Sequence, residues 1–295
     1  MWQSLYIYLF RKAYRLLNAW SWRGKFEPVA FSTLQLPTHF GNLTARMYSQ
    51  ATGGDRPLIL FFHGGGWVIG DLDTHHPFCQ VLSKTTGCTV VSVDYRLAPE
   101  HRFPAAHDDC LAASQWVAEN INTLGPSNGM LVIAGDSAGA NLTTCTCLQL
   151  DGASRSRVAG QLVIYPATDH YSVHYPSHIE RAKGSSLTAG RLYFFWDTYL
   201  GGDNHQAMSA ARALPSRAAN LASLPPMLLV TAEYDPLRDE GVDYAAKCAD
   251  AGVAVSHRHF DNARHGFACS EGPTEDFKQL MQDIVDWLDS LPNGR

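Results

Sequence analysis

The stretch MLVIAGDSAGANL (130–142) decides how this chain folds. Met130 to Ala134 is a continuous apolar run, the pattern of a strand buried on both faces. A helix-like stretch, Asn141–Leu150, follows, and between them stands Gly135-Asp136-Ser137-Ala138-Gly139. A strand that turns sharply into a helix holds the side chain at the turn out above the sheet, and flanking glycines make room for the strained backbone. G-x-S-x-G arises by accident in roughly one chain in ten of this length, so the pentapeptide alone is weak. Its strand–turn–helix context marks Ser137 as a candidate nucleophile rather than a capping serine.

The same rhythm runs outward in both directions. LILFF (58–62), TVVSV (89–93), QLVIY (161–165), PMLLVTA (226–232) and VAVSHRHF (253–260) are short apolar runs separated by helical stretches. This predicts a doubly wound α/β fold with a mostly parallel central sheet flanked by helices. Ahead of it, weak strands at Phe31–Leu36 and Leu43–Ser49 are expected to form a hairpin turning at Gly41-Asn42. Trp2, Leu5, Tyr6, Leu9, Phe10, Ala13, Leu16, Leu17 and Trp20 recur at helical spacing, with Arg11, Lys12 and Arg15 between them. An amphipathic helix over residues 1 to 20 follows, and it needs a surface to cover. From 169 to 224 no strand is expected, and Leu187–Leu200 reads as an aromatic helix. Insertions of that size in α/β sheets usually lie over the strand C-termini, where ligands bind.

Composition narrows the classes. The 295 residues are 45% hydrophobic and 17% charged, which excludes disordered, collagenous and coiled-coil chains. A net charge of −5 without a basic run leaves no electrostatic footprint for nucleic acid. Seven cysteines, an odd number without a C-x-x-C pair, suit reduced thiols and a cytoplasmic location. The N-terminus is apolar first and basic afterwards, the reverse of a signal peptide, and no run of 18 apolar residues provides an integral membrane segment.

Chemistry concentrates at the ends of the predicted strands. His63-Gly64-Gly65-Gly66-Trp67 follows LILFF, and three successive glycines there suit backbone amides aimed at a developing oxyanion. No G-K-[ST] or G-x-G-x-x-G supports the competing phosphate-cradling use. Asp235 follows PMLLVTA and His265 follows VAVSHRHF, so nucleophile, acid and base stand in the order Ser, Asp, His, each at a strand end facing one crevice. Of the 13 histidines, His257 and His259 lie within a strand and His39, His107, His170 and His178 follow no core strand, whereas His265 stands in the loop after one and is the best base candidate. Asp239 and Asp243 fall in the next helix. No H-E-x-x-H pattern calls for a metal, and the acyl-transfer chemistry needs no cofactor. His75-His76 reads as a helix start, and Asp136 as a residue tuning the site or bonding a neighbouring loop.

HGGGW (63–67), DYRLAPEHRFPAAHDD (94–109), GDSAG (135–139), EYDPLRDEG (233–241) and HGF (265–267), in this order, resemble the bacterial hormone-sensitive-lipase family of α/β-hydrolase esterases over roughly residues 55–290. The resemblance implies an α/β-hydrolase fold, Ser137, Asp235 and His265 as the triad, and oxyanion amides at Gly65, Gly66 and Ala138 supported by His63 and Gly64. It implies residues 1–45 as an N-terminal lid segment and first strand region, and 46–295 as the catalytic domain, with a second lid portion at about 169–224. Trp67, Tyr193, Phe194 and Trp196 are the candidate acyl-pocket residues. The expected function is hydrolysis of small-molecule esters with short to medium acyl chains. An amide or formamide hydrolase, an acyltransferase, or a non-catalytic binding member are the alternatives on the same fold. A homodimer through the edge strand Val253–Phe260 is also expected.

Overall fold

In the computed structural model, residues 2–50, 54–183, 186–202 and 212–292 are described. Eight strands among them form one sheet: β1 (Phe31–Thr38), β2 (Gly41–Tyr48), β3 (Leu58–Phe62), β4 (Val90–Val93), β5 (Leu131–Asp136), β6 (Val158–Ile164), β7 (Met227–Tyr234) and β8 (Val255–Arg264). Their spatial order is β1-β2-β4-β3-β5-β6-β7-β8, with β1, β2 and β4 paired antiparallel and all pairs from β4 to β8 parallel. Helices cover both faces, because alternate residues of each central strand need burial on opposite sides. Leu58, Leu60 and Phe62 join the core under the helices Ala105–Asn120, Ala138–Gln149 and Arg238–Asp250. Ile59 and Phe61 join the core under His76–Thr86 and Glu275–Ser290. The expected α/β-hydrolase architecture is therefore present.

Several boundaries differ from the sequence reading. The hairpin turns at His39-Phe40, not Gly41-Asn42, because Gly41 already pairs with Thr38. The Thr38 hydroxyl closes the turn by donating to the Gly41 carbonyl at 2.7 Å and accepting from the Phe40 amide at 3.2 Å. Residue 45 is not an edge of anything: Ala45 sits mid-strand in β2, between Leu34 and Val93. Only the helix Trp2–Ser21 and the segment to residue 30 precede the sheet. The last strand runs 255–264 rather than 253–260, since the Val253 amide donates to Cys248 to close the preceding helix, while pairing with β7 continues to Arg264 across a register shift. As expected, no strand lies between 169 and 224 among the described residues, and short helices, Pro176–Glu180 and Ala189–Leu200, sit there instead.

The N-terminal helix is the largest surprise. The expected apolar face packs poorly: Ile7 is buried and Phe10 and Tyr14 are half-buried, whereas Leu5, Leu9, Leu16 and Trp20 face outward. Polar contacts hold the helix down. The Arg11 guanidinium donates to the Val68 and Ala98 carbonyls at 2.8 and 2.9 Å and pairs with Glu100, Arg15 pairs with Asp71 at 2.6 Å, and the Trp22 indole donates to Cys269 O at 2.8 Å.

Candidate active site

At the end of β5, Ser137 adopts φ 54° and ψ −118° before the helix Ala138–Gln149 begins. A side-chain-bearing residue pays for positive φ, so the surrounding packing must enforce it. A Cβ on Gly139 would stand 1.9 Å from the Phe62 carbonyl oxygen, and one on Gly135 would stand 2.4 Å from the Gly139 backbone. Only glycine lets the helix start so close to β3. The Ser137 amide donates to Ile164 O at 2.8 Å, which ties the turn to β6.

Three strand ends converge on this turn. His265 Nε2 lies 3.0 Å from Ser137 Oγ, and His265 Nδ1 lies 2.7 Å from Asp235 Oδ2. Asp235 is fully buried, and its other oxygen accepts from the Leu237 amide at 2.8 Å, so its orientation is set at both oxygens. The Tyr165 ring packs against His265 with centroids 4.8 Å apart. His257 and His259 are not brought there. Both reach the Thr231 hydroxyl on β7, at 2.8 and 2.9 Å.

The glycine loop borders the same space. Gly65, Gly66 and Trp67 have φ of 122°, 60° and 58°. A Cβ on Gly65 would meet the Ile69 carbonyl at 2.1 Å, and one on Gly66 would meet the Phe195 ring at 2.2 Å. Among the described residues, none accepts a hydrogen bond from the amides of Gly65, Gly66 or Ala138. His63 stacks on Tyr95 with centroids 4.3 Å apart, and Tyr95 donates to His63 O at 2.6 Å. Burial, and secondarily the neighbouring His75, lowers the His63 pKa to about 4, so this ring is a neutral spacer behind the loop.

Asp136 and His75 meet behind the glycine loop. The buried Asp136 carboxylate accepts from the Gly64 amide at 2.7 Å, and His75 Nε2 lies 3.2 Å from the same oxygen. Burial opposes ionisation of Asp136, but His75, the Gly64 amide and His63 outweigh it and hold the carboxyl below its ordinary range. The residue beside Ser137 thus anchors the glycine loop. A bond to a neighbouring loop is one of the two roles the sequence offers Asp136, and its place after an apolar strand argues for burial; only the pairing with His75 carries no sequence signal.

Ser137, His265, Gly65, Gly66 and Ala138 line a cavity of about 410 Å³. Of the expected pocket aromatics, Trp67 and Trp196 line it and Tyr193 and Phe194 do not. Leu192, Phe195 and Trp196 share the inner face of their helix by its 3.6-residue period, which turns the two intervening rings away. Tyr193 packs on Tyr171 at 4.4 Å and Phe194 on Tyr6 at 5.7 Å. Phe10, Ala13, Tyr14 and Leu17 of the N-terminal helix complete the wall, together with Leu187 and Leu237.

One group among the described residues has metal-ligating types in proximity: His75, Asp136 and Cys269, all buried, with ligand atoms within 4.8 Å of one another. Burial and the adjacent Asp136 push the Cys269 thiol well above its ordinary range, and Asp136 is already engaged by the Gly64 amide. A protonated thiol and a committed carboxylate make a poor ligand set.

This fold and this arrangement of a serine elbow, a glycine loop and a strand-end histidine define an α/β-hydrolase, and a family model described as the alpha/beta hydrolase fold matches residues 59–269. The chain belongs to this family, within its hormone-sensitive-lipase branch of esterases. It is 38% identical over 246 residues to the carboxylic ester hydrolase LipN of Mycobacterium tuberculosis, the match covering 81% of this chain and 64% of that protein. It is likewise 38% identical to an ethyl acetate hydrolase of Pseudomonas putida, over 89% of this chain and 83% of the relative. A hyperthermophilic esterase from Pyrobaculum calidifontis superposes with a TM-score of 0.90 at 35% identity, covering 96% of this chain and 91% of that one.

Proposed function

We propose that this protein hydrolyses small-molecule carboxylic esters with short to medium acyl chains through an acyl-enzyme on Ser137. His265 Nε2 takes the Ser137 hydroxyl proton as Oγ attacks the ester carbonyl, and the amides of Gly65, Gly66 and Ala138 hold the resulting oxyanion. Asp235 keeps the Nδ1–H tautomer and stabilises the imidazolium. The C–O bond to the alcohol breaks as His265 returns the proton to the leaving oxygen. Water, deprotonated by the same nitrogen, then attacks the acyl carbonyl and releases the acid and Ser137. The observation that carries this reading is the unbroken Asp235–His265–Ser137 chain, 2.7 and 3.0 Å at its two links, opening into a cavity beside unclaimed amides.

The helix Trp2–Ser21 and the helices between 169 and 224 act as the lid, because Phe10, Leu17, Leu192 and Phe195 roof the cavity. Its limited volume supports acyl chains of about four to eight carbons, each buried CH₂ adding about 0.8 kcal/mol until the wall is met. Seven buried free cysteines support a reducing, cytoplasmic setting. A homodimer through the sheet edge at β8 completes the reading.

A fluorophosphonate probe and a p-nitrophenyl ester series from C2 to C16 test it. Expected are labelling of the parent chain and loss of both labelling and turnover in Ser137→Ala, on the order of 10⁶ in kcat by comparison with subtilisin. His265→Ala should behave similarly, with His257→Ala within about tenfold of the parent. Substantial turnover by Ser137→Ala, or C16 esters preferred over C4, would overturn the corresponding part.

A further inference from the structure

The N-terminal helix presents two apolar aspects, and only one is used. Phe10, Ala13, Tyr14 and Leu17 line the cavity. Leu5, Leu9, Leu16 and Trp20, at i, i+4, i+11 and i+15, fall within about 60° of the helix circumference and form an outward stripe adjoining that face. They are 50, 55, 71 and 76% exposed. Scattered apolar side chains are ordinary on a surface, but four large ones aligned on one side of a helix mark an interaction face. The helix is already clamped through Arg11, Arg15 and Trp22, so the stripe is not a face waiting to pack elsewhere on its own chain.

Charge says what it meets. Residues 1–26 hold Arg11, Lys12, Arg15, Arg23 and Lys25 and no acid, in a chain of net charge −5. The rest of the chain therefore carries −10, so residues 1–26 are a basic segment of an otherwise acidic chain. Lys12, on the helix, and Arg23 and Lys25, in the turn that follows it, are exposed. An apolar stripe of Leu and Trp flanked by Lys and Arg is the chemistry of an interfacial helix on anionic lipid. A second copy of the chain fits less well, because a two-fold contact through this face would oppose like charges.

We propose that the outer face of the helix Trp2–Ser21 docks on an anionic lipid bilayer, with Leu5, Leu9, Leu16 and Trp20 entering the headgroup–acyl boundary and Lys12, Arg23 and Lys25 contacting lipid phosphates. The bilayer is met from one side: no described helix is long and apolar enough to cross it. Because Leu17 borders both the stripe and the cavity, docking sets the cavity rim at the lipid surface, where hydrophobic esters partition.

Co-sedimentation of the full chain with phosphatidylglycerol/phosphatidylcholine vesicles, and with phosphatidylcholine alone, tests the proposal. The bound fraction should be at least tenfold greater on the anionic vesicles and fall in about 0.5 M salt. Leu16→Glu combined with Trp20→Glu should abolish binding. Lys12→Glu combined with Arg23→Glu should weaken it at least tenfold. Neither pair lines the cavity, so hydrolysis of a soluble butyrate ester should stay within twofold in both. Failure of the parent to bind, equal binding to the neutral vesicles, or unaltered binding by the Leu16/Trp20 variant would overturn the proposal. So would a parent that leaves vesicles alone but loses a self-associated species in that variant, which would make the stripe a contact between copies. Sedimentation does not depend on turnover, so an inactive but vesicle-bound protein would count against the esterase reading alone.

Discussion

Asp136 illustrates how much a single side chain beside Ser137 is asked to do. Its carboxylate holds the Gly64 amide at 2.7 Å and faces His75 at 3.2 Å, in a space closed to water. An unpaired buried charge is costly, so each partner is needed by the other. Asp136→Asn keeps an acceptor for Gly64 but removes the charge facing His75. We expect kcat to fall at least tenfold with KM changed less than threefold, because a displaced glycine loop costs most when the oxyanion forms, and losing one such donor outright costs 10²–10³. Steady-state kinetics on a butyrate ester check this, and a kcat within twofold of the parent would show that Asp136 does not position the loop. Ser137, Asp235 and His265 were legible as candidates because each follows an apolar strand. Asp136–His75 was not, because the pairing joins β5 to a helix start some sixty residues earlier, and only the sheet order brings them together.

At the scale of elements, the insertion between β6 and β7 is seated by buried polar bonds rather than by apolar area alone. Glu240, in the helix after the Asp235 turn, accepts from the Thr168 amide at 2.7 Å and lies 2.9 Å from His178 Nε2, joining the helices Arg238–Asp250 and Pro176–Glu180. Ser177 reinforces the seat by donating to Pro236 O at 2.6 Å. Burial raises the Glu240 pKa, partly offset by His178, which marks the carboxyl as costly to bury and dependent on its partners. Glu240→Ala strands the Thr168 amide and His178 and should destabilise by about 3–5 kcal/mol. Glu240→Gln, which retains an acceptor for Thr168, should lose less. Chemical denaturation of the two variants separates these outcomes, and equal midpoints would remove Glu240 from this role.

For the whole molecule, the buried neutral histidines set the acid limit. Burial, with His75 second, lowers His63 to about 4, and burial, with Arg212 second, lowers His107 to about 3. Histidines in the unfolded chain take protons near pH 6.5, where these two refuse them in the fold. The unfolded state then binds more protons, so stability falls as pH drops below 6.5, by up to about 1.4 kcal/mol per pH unit for each group, until their folded values are reached. Thermal melts from pH 7 to 4.5 should show a steady decline that His107→Gln lessens. A flat profile would contradict the assignment. Assembly belongs to the same scale. Met227 N donates to Ala254 O at 2.8 Å, so by strand alternation Val255, His257 and His259 turn their amides outward from β8. Val255→Pro should therefore convert the proposed homodimer to monomer in light scattering at tens of micromolar, with ester hydrolysis retained. A parent already monomeric there would end the dimer reading.

The sequence alone determined the alternation of buried strands and helices, the elbow at Ser137, and which aspartate and histidine follow core strands. All are local patterns, in which period, glycine and chain order carry the information. Tertiary structure decided the rest. Tyr193 and Phe194 lost their place in the cavity to Leu192 and Phe195 because helix phase, set by docking against Gly66 and Phe10, turns one face inward. The N-terminal helix reads as amphipathic with its apolar face packed, yet Arg11 and Arg15 bind it down and leave Leu16 and Trp20 outside. Periodicity specifies that a face is apolar; which partner covers it depends on where distant carbonyls and carboxylates, at Val68, Asp71 and Glu100, are carried by the finished sheet.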